Sequence, residues 1–154
     1  MNLEELRAFL IDANKHTYST GDESLNTKEK DGSTTILYQN NGWKFHDNFF
    51  GGEPYGGREV VFHEDSPVWM MVYYGYIEAG TPAETIYPVL QKALRQMPQD
   101  APFRGPEKMK EGELYYHNIW SGTIEKFSGK ETISINSKIV YEASYIGGVV
   151  DRKK

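Results

Sequence analysis

Two glutamates stand at corresponding positions of the sequence and could supply acid and base chemistry. Glu59 and Glu131 each follow a glycine, Gly57 or Gly129, by two positions and begin a segment of strand-forming residues. If the two carboxyl groups approach each other, the pKa of one rises, and one residue type then provides both an acid and a base. Alternatively, each glutamate forms a salt bridge or caps its loop and only helps to hold the fold together.

Arg104 is a second candidate, because it lies between Phe103 and Gly105 in the proline-bounded segment 102–106. A guanidinium fixed in this way can present its planar fork of N–H groups to the carboxylate or phosphate of a ligand. The structural alternative is a bridge from Arg104 to Glu107 or to a helix carboxylate.

Aromatic residues form a third candidate set. The chain has 11 Tyr, 7 Phe and 3 Trp, together 14% of its residues, which is enough to line a small-molecule cavity or to fill a core. The positions predicted to point inward are Trp43, Trp69, Tyr73, Tyr116, Trp120, Tyr141 and Tyr145. A close-packed core is the default interpretation, because buried aromatics supply much of the stability of a small domain.

Other kinds of site find little support in the sequence. His46, His63 and His117 are metal ligands by type, with Asp47 or Glu59 as partners, but their spacing matches no known ligand pattern, so we predict no metal. The Gly-x-Ser-x-Gly element, glycine-rich phosphate loops and cysteines do not occur, so no cofactor is predicted. The sequence leaves catalysis open and favours a protein that is not an enzyme.

Length and charge narrow the class of protein. A chain of 154 residues is predicted to form one domain, 1–154. The net charge of −5 and the dispersed basic residues argue against direct nucleic-acid binding, and the basic cluster at 152–154 is interpreted as a solvated end. Because no apolar run approaches membrane-spanning length, no signal peptide is visible and cysteine is lacking, we expect a cytoplasmic location without membrane contact.

Hydrophobic spacing assigns the candidate residues to strands and helices. Apolar residues at helical spacing predict a helix over 3–13, and the polar segment 18–33 predicts a long mobile loop, interpreted as a disordered insertion in preference to a lid. Thr81 and Pro82 are predicted to be the cap and the first position of a second helix. Pro88 predicts either a later start of this helix or a kink in it. Seven strands are predicted, at 34–39, 43–50, 59–63, 68–76, 114–120, 131–135 and 139–146.

The second half of the chain resembles the first. An offset of 72 residues aligns 55–75 with 127–147, and an offset of 71 aligns 45–47 with 116–118. The residues aligned at the longer offset include both glutamates. This pattern predicts two copies of one structural unit.

The predicted fold class is therefore α+β with an internal duplication. We expect an antiparallel sheet of about six or seven strands with two helices on one face or end. Each copy is a helix-plus-three-strand unit, about 2–77 and 82–148, and a pseudo-two-fold axis relates the copies. Strand alternation turns one face of each copy inward, with Trp69 and Tyr73 in the first and Tyr141 and Tyr145 in the second.

The chain resembles one bacterial family of unknown function. The resemblance rests on PVWMMVYYG at 67–75 and PFRGP at 102–106, with shorter similarities at 17–18, 47–52 and 57–61. In that family the domain occurs alone or follows a phage-repressor-type helix-turn-helix, which implies a sensor of a small molecule or a dimerisation unit. This chain begins at the first helix of the domain, so we do not expect it to carry a DNA-binding module of its own.

Three functions are consistent with these patterns. The favoured one is a sensor-like domain that binds a small-molecule ligand between the two repeats. Its predicted ligand-binding residues are Trp69, Tyr73, Tyr141 and Tyr145 as the lining, with Glu59, Glu131 and Arg104 as polar anchors. The alternative is a non-catalytic interaction module that forms a homodimer, and the least favoured is an enzyme that uses Glu59 and Glu131 as an acid–base pair.

Overall fold

The computed structural model describes residues 1–150, so the basic cluster at 152–154 lies outside the described residues. Helix α1, Leu3–Lys15, begins after Asn2, whose side chain accepts a hydrogen bond of 3.0 Å from the backbone N–H of Glu4. This cap satisfies one of the N–H groups that the first turn leaves free. The buried residues of α1 are Leu6, Phe9, Leu10 and Ala13, at the helical spacing that predicts the element.

A single antiparallel sheet of nine strands makes up most of the described structure. The strands are β1 (Thr27–Lys28), β2 (Thr34–Asn40), β3 (Trp43–Phe50), β4 (Tyr55–His63), β5 (Ser66–Ile77), β6 (Lys108–Glu111), β7 (Leu114–Thr123), β8 (Lys126–Ile135) and β9 (Lys138–Val149). Their order across the sheet is β1-β2-β3-β4-β5-β9-β8-β7-β6. Strands β5 and β9 therefore meet at the centre, and each half of the chain forms one side of the sheet.

The prediction of six or seven strands was wrong, and so was the helix-plus-three-strand unit. Strand β1 has two exposed residues, and β6 has alternating exposed side chains with the sequence KMKE. Both lie at the edges of the sheet, where one neighbouring strand and water satisfy the backbone, so neither needs the apolar residues that identify a strand in a sequence. Helix α1 thus precedes five strands and the second helix precedes four, while the α+β class and the antiparallel pairing stand.

The second helix, α2, spans Ala83–Leu94. Its cap position is Pro82 and no side chain caps it, so the prediction of Thr81 as the cap was wrong, and Pro88 lies inside the helix. Helix α1 packs against β2 and β3, and α2 packs against β7. Within residues 1–150, neither helix has the length and apolar character needed to cross a membrane.

The polar segment predicted as a loop has local structure. It contains two short 3₁₀ helices, Tyr18–Thr20 and Glu23–Leu25, followed by β1. The first of these contacts both α-helices, and Arg95 donates a hydrogen bond of 2.8 Å to the backbone carbonyl of Ser19. Mobility of the segment 18–33 stays a prediction.

The inner face of the sheet carries the aromatic residues that strand alternation predicts. The buried residues of the two central strands are Trp69, Met71 and Tyr73 on β5, and Tyr141, Ala143 and Tyr145 on β9. In the register between these strands, Tyr73 lies directly opposite Tyr145, which is 72 positions later in the chain. Register shifts interrupt the pairing at Val61/Phe62 and at Ile133/Ser134, again 72 positions apart. The duplication of the chain stays a prediction, with which this register agrees.

Candidate functional site

A cavity of about 320 Å³ lies between the inner face of the sheet, the two helices and the segment 17–28. Its apolar lining includes Leu10, Ile36, Phe45, Phe49, Leu94 and Phe103, and four tyrosines, Tyr18, Tyr55, Tyr73 and Tyr87, also border it. Predominantly apolar walls with a few polar groups, at a volume of about 300 Å³ or more, are typical of small-molecule sites. The cavity therefore has the size and composition of a binding site.

Two carboxyl groups, those of Asp47 and Glu59, face this cavity from neighbouring strands. Asp47 on β3 and Glu59 on β4 are direct partners in the register of the sheet. Asp47 is 5% exposed and accepts a hydrogen bond of 2.5 Å from the hydroxyl of Tyr73. The carboxyl group of Glu59 has no hydrogen-bond partner among residues 1–150. It is only partly exposed, and the cavity is the space that it borders.

The environment of this pair makes both groups weaker acids than usual. Burial raises the pKa of Asp47 to about 6, although the Tyr73 hydrogen bond and the charge of Arg104 act in the opposite direction. Burial also raises the pKa of Glu59 to about 8, to which the negative charges of Asp47 and Glu131 contribute and which Arg104 opposes. At neutral pH Asp47 is thus mostly ionised, whereas Glu59 is mostly protonated.

Arg104 and Glu131 form a buried ion pair beside the cavity. Arg104 donates to Oε1 of Glu131 through Nε at 2.9 Å and through Nη2 at 2.5 Å. The hydroxyl of Tyr141 donates to the same oxygen at 3.0 Å, and that of Tyr116 donates to Oε2 at 2.6 Å. Glu131 is fully buried and Arg104 is 6% exposed. Both oxygens of this buried carboxyl group therefore have hydrogen-bond partners.

Glu59 and Glu131 thus occupy similar backbone positions in very different surroundings. Glu131 receives hydrogen bonds from Tyr116 and Tyr141. The residues that the predicted repeat aligns with these tyrosines are Phe45 and Trp69, which carry no hydroxyl group. The absence of these hydroxyl donors helps to explain why Glu59 is left without a partner in the described structure.

Two glycines allow tyrosines to reach across the sheet. A Cβ atom on Gly57 would lie 2.7 Å from the hydroxyl oxygen of Tyr73, and one on Gly129 would lie 2.2 Å from that of Tyr145. Contacts this short are not tolerated, so a side chain at Gly57 would displace the Tyr73 hydroxyl from Asp47. The glycine that precedes each glutamate therefore helps to place the neighbouring tyrosine.

The structure brings only some of the predicted ligand-binding residues to the cavity. Glu59, Tyr73 and Arg104 line it. The remaining four, Glu131, Trp69, Tyr141 and Tyr145, are buried and do not line it. Trp69 donates its indole N–H to the carbonyl of Ile124 at 3.1 Å, and Tyr145 donates to Asn118 at 2.9 Å, so both have structural partners. Asp47 lies opposite Glu59 in the register of the sheet, whereas Glu131 is bonded to Arg104.

Several cavity residues were missed from the sequence. Asp47 was predicted only as a partner of metal-binding histidines, and no group of three or more His, Asp or Glu residues within 1–150 is placed to hold a metal ion. The alignment of 45–47 with 116–118 puts Asp47 on an inward position of a strand, which was the available signal. Tyr18 and Tyr87 come from a polar segment and a helix, and nothing local in the sequence points to them.

Comparison with known proteins assigns the chain to a family. Residues 47–150, more than half of the chain, match the family described as Domain of unknown function (DUF5680). The chain belongs to this family. None of the curated proteins and none of the solved structures matches it.

The region that matches DUF5680 contains four charged residues at or beside the cavity. It begins at Asp47 and includes Glu59, Arg104 and Glu131. Helix α1 and the segment 17–28, which close the cavity on one side, precede the matched region. Both the carboxyl pair and the buried ion pair thus lie within the part of the chain that DUF5680 defines.

Proposed function

We propose that this chain is a small-molecule-binding domain and that its ligand occupies the cavity beside Asp47 and Glu59. The observation that carries the proposal is the carboxyl group of Glu59, which is partly exposed, borders the cavity and has no hydrogen-bond partner within residues 1–150. A carboxyl group that is largely removed from water and has no protein partner costs free energy unless water or a ligand bonds to it. A ligand group that hydrogen-bonds to Glu59 would remove this cost.

The ion pair of the same protein supports this interpretation by contrast. Glu131, which is fully buried, receives hydrogen bonds on both oxygens from Arg104, Tyr116 and Tyr141. This fold can therefore satisfy a buried carboxylate when its role is structural. Binding is favoured over catalysis, because the only hydrogen bond to the Asp47–Glu59 pair within residues 1–150 comes from Tyr73, which holds Asp47 in place.

The first experiment is a fragment screen by two-dimensional ¹H–¹⁵N NMR with neutral, anionic and cationic aromatic fragments. Ile36 is 2% exposed and lines the cavity, so Ile36→Phe fills part of its volume. Leu37 is the next residue on β2, is 54% exposed and points to the opposite face, so Leu37→Phe is a matched control. We expect fragments to shift the amides of the cavity residues, and Ile36→Phe to weaken this binding about tenfold or more, as overpacking removes the space.

The control variant is expected to bind fragments as the unaltered protein does. Thermal melts of both variants establish that each is folded before the comparison is made. If no fragment shifts the amides that border the cavity, or if Ile36→Phe binds them as well as Leu37→Phe does, the cavity is not the binding site.

A second candidate function, homodimerisation, is favoured by the outer face of the sheet. Four large apolar side chains on β5, β9 and β7 are strongly exposed, namely Val72 at 46%, Tyr74 at 56%, Ile119 at 62% and Ile146 at 62%. They border a shallow groove in which Lys130 is the one charged residue among those described. A nearly uncharged apolar patch of this kind suits a second copy of the chain, because two copies bring no strong like-charge repulsion together.

The dimer is tested by the mass in solution. We expect sedimentation equilibrium at high protein concentration to show a dimer, and Ile146→Lys to return the protein to a monomer, because a charge in the centre of the patch would be desolvated. Leu37→Lys adds the same charge at an exposed position four strands away and should leave the dimer intact. A monomer at all concentrations would remove this candidate.

The setting of this function is also a proposal. A cytoplasmic protein of bacterial origin, in a family whose domain also follows helix-turn-helix modules, would use such a cavity to sense a metabolite or a toxic compound. Support comes from the sequence resemblance and from the lack of cysteine.

A further inference from the structure

The charges around the cavity do not balance. Arg104 is the cation nearest to the carboxyl pair, but two of its nitrogens already donate to Glu131. The pair of Asp47 and Glu59 therefore faces the cavity with two acidic groups and without a cation of its own among residues 1–150. The part of the cavity beside this pair is therefore a site of negative potential.

The other titratable groups near Glu59 do not reverse this balance. Those that act on it are Asp47 on β3, Arg104 in the segment after α2 and Glu131 on β8. The exposed residues Asp22, Glu23 and Lys28 line the cavity from the segment 17–28, and Lys28 donates to the hydroxyl of Thr34 at 2.7 Å.

The tyrosines that border the cavity are neutral at physiological pH, because burial, the largest cause, raises the pKa of each of them. They are Tyr18, Tyr55, Tyr73 and Tyr87. The two helices contribute no Asp, Glu, Lys or Arg to the described lining.

We infer that the cavity takes a lipophilic organic cation, such as a protonated amine, with its ammonium group at Asp47 and Glu59 and its apolar body against the aromatic wall. This inference rests on the proposed function and specifies its ligand class. An ammonium group can donate to both carboxyl groups, which would give Glu59 its missing partner. Aromatic side chains that line the cavity, including Phe45 and Phe49, can add the attraction between a cation and a π system.

An anionic ligand is the opposing possibility, because Arg104 lines the cavity as well. An anion that reached Arg104 would lie close to Asp47 and Glu59 and would compete with Glu131 for the guanidinium. Negative charges brought together in an enclosed site repel each other strongly, so this arrangement is disfavoured. The charge of the ligand therefore separates the two possibilities in one experiment.

Binding of a cation has a consequence for protons. Glu59 is mostly protonated at pH 7, because its pKa is raised to about 8. A bound cation favours the ionised form, so Glu59 releases its proton when the cation binds. The affinity for the cation is accordingly expected to rise with pH between about 6 and 8, the window set by the pKa values of Asp47 and Glu59.

The test uses three probes with one carbon skeleton and different charge: 4-phenylbutylamine, 4-phenylbutan-1-ol and 4-phenylbutanoate. Dissociation constants are measured by NMR titration of the full chain at pH 7.5. We expect the amine to bind at least about tenfold more tightly than the alcohol, which is the effect of one charge-assisted hydrogen bond, and the carboxylate to bind most weakly. Calorimetry in two buffers of different ionisation enthalpy should show that the amine releases a fraction of a proton.

A variant assigns the effect to one residue. Glu59→Gln keeps the shape of the side chain, and we expect it to reduce amine affinity about tenfold, to leave the alcohol unchanged and to abolish the proton release. Glu142→Gln is the control, because Glu142 is a carboxylate on β9 that pairs with Lys130 at 2.9 Å and does not line the cavity. It should leave all three affinities unchanged.

Each other outcome overturns the inference in a recognisable way. If the alcohol binds as tightly as the amine, the cation assignment is wrong while the proposed function stands. If the carboxylate binds most tightly, Arg104 is the anchor and the ligand is an anion. If none of the probes shifts the cavity amides, the cation assignment is wrong, and the fragment screen then decides whether the proposed function fails with it.

Discussion

Replacing Arg104 with methionine is expected to destabilise the protein by about 3–5 kcal/mol, the usual cost of removing one partner of a buried ion pair. The variant leaves Glu131, which is fully buried, without the two hydrogen bonds that Arg104 donates to its Oε1 atom. Methionine keeps much of the side-chain volume, so the loss measures the charge and its bonds more than the packing. Urea denaturation at pH 7, analysed by the linear extrapolation, gives the change in free energy of unfolding.

A surface ion pair of the same sheet provides the control for this prediction. Lys130 on β8 contacts Glu142 on β9 at 2.9 Å, and the two side chains are 53% and 23% exposed. We expect Lys130→Met to cost less than about 1 kcal/mol, because water already solvates both charges. Adding Glu131→Gln to Arg104→Met should recover part of the loss, since glutamine keeps an acceptor and removes the unpaired charge. Equal losses for Arg104→Met and Lys130→Met would show that the buried pair does not hold the fold.

Replacing Glu59 with glutamine is expected to have the opposite sign and to stabilise the ligand-free protein at pH 8 by about 1–3 kcal/mol. The pKa of Glu59 is raised by burial from an ordinary value of 4.5 to about 8, so the folded protein holds this proton more tightly than the unfolded chain does. Its contribution to stability is therefore fully present below pH 4.5 and is lost as the pH rises to about 8. Glutamine does not ionise and avoids this loss.

The pH profile of unfolding checks the sign of this effect. Asp47, whose pKa is raised by burial from 3.8 to about 6, contributes the same slope at lower pH, whereas the pKa of His46, lowered by burial from 6.5, acts in the opposite direction there. Stability of the unaltered protein should therefore fall clearly between about pH 6.5 and pH 8. Glu59→Gln should remove the part of the slope above pH 6, whereas Glu142→Gln should leave the profile unchanged. A flat or rising stability of the unaltered protein between pH 6.5 and 8 would contradict the raised pKa of Glu59.

A residue that lowers stability in the free protein is the expected signature of a binding site. Functional groups are often held where the fold alone would not place them, and replacing them stabilises the protein while it removes the activity. The paired results for Arg104→Met and Glu59→Gln therefore distinguish the two carboxylates. Glu131 would stabilise the fold and Glu59 would bind the ligand, although the two residues occupy equivalent positions in the predicted repeat.

Local patterns in the sequence predicted the features that depend on neighbours along the chain. Strand alternation identified the inner face, including Trp69 and Tyr145, and helical spacing identified α1. The short edge strands β1 and β6 were missed, because an edge strand with exposed side chains carries no apolar periodicity. The strand count was too low for that reason.

The partners of the charged residues depend on contacts between distant segments, which the sequence did not specify. Glu59, Tyr73 and Arg104 were predicted from their residue types, and all three line the cavity. The pairing of Arg104 with Glu131 joins residues 27 positions apart, and Asp47 meets Glu59 through the register of β3 and β4. Glu59 and Glu131 are not paired with each other, because Arg104 bonds Glu131. The similarity between the two halves of the sequence did not reveal this, since Arg104 belongs to only one half.

The most direct test of a ligand in this cavity is to locate a bound probe by intermolecular nuclear Overhauser effects. The tightest-binding member of the phenylbutyl series is added to the full chain at saturating concentration. We expect contacts from the phenyl protons to the methyl groups of Ile36 and Leu10, which line the cavity. Contacts to the methyl groups of Val72 and Ile146 on the outer face instead, or to no methyl group at saturation, would contradict it.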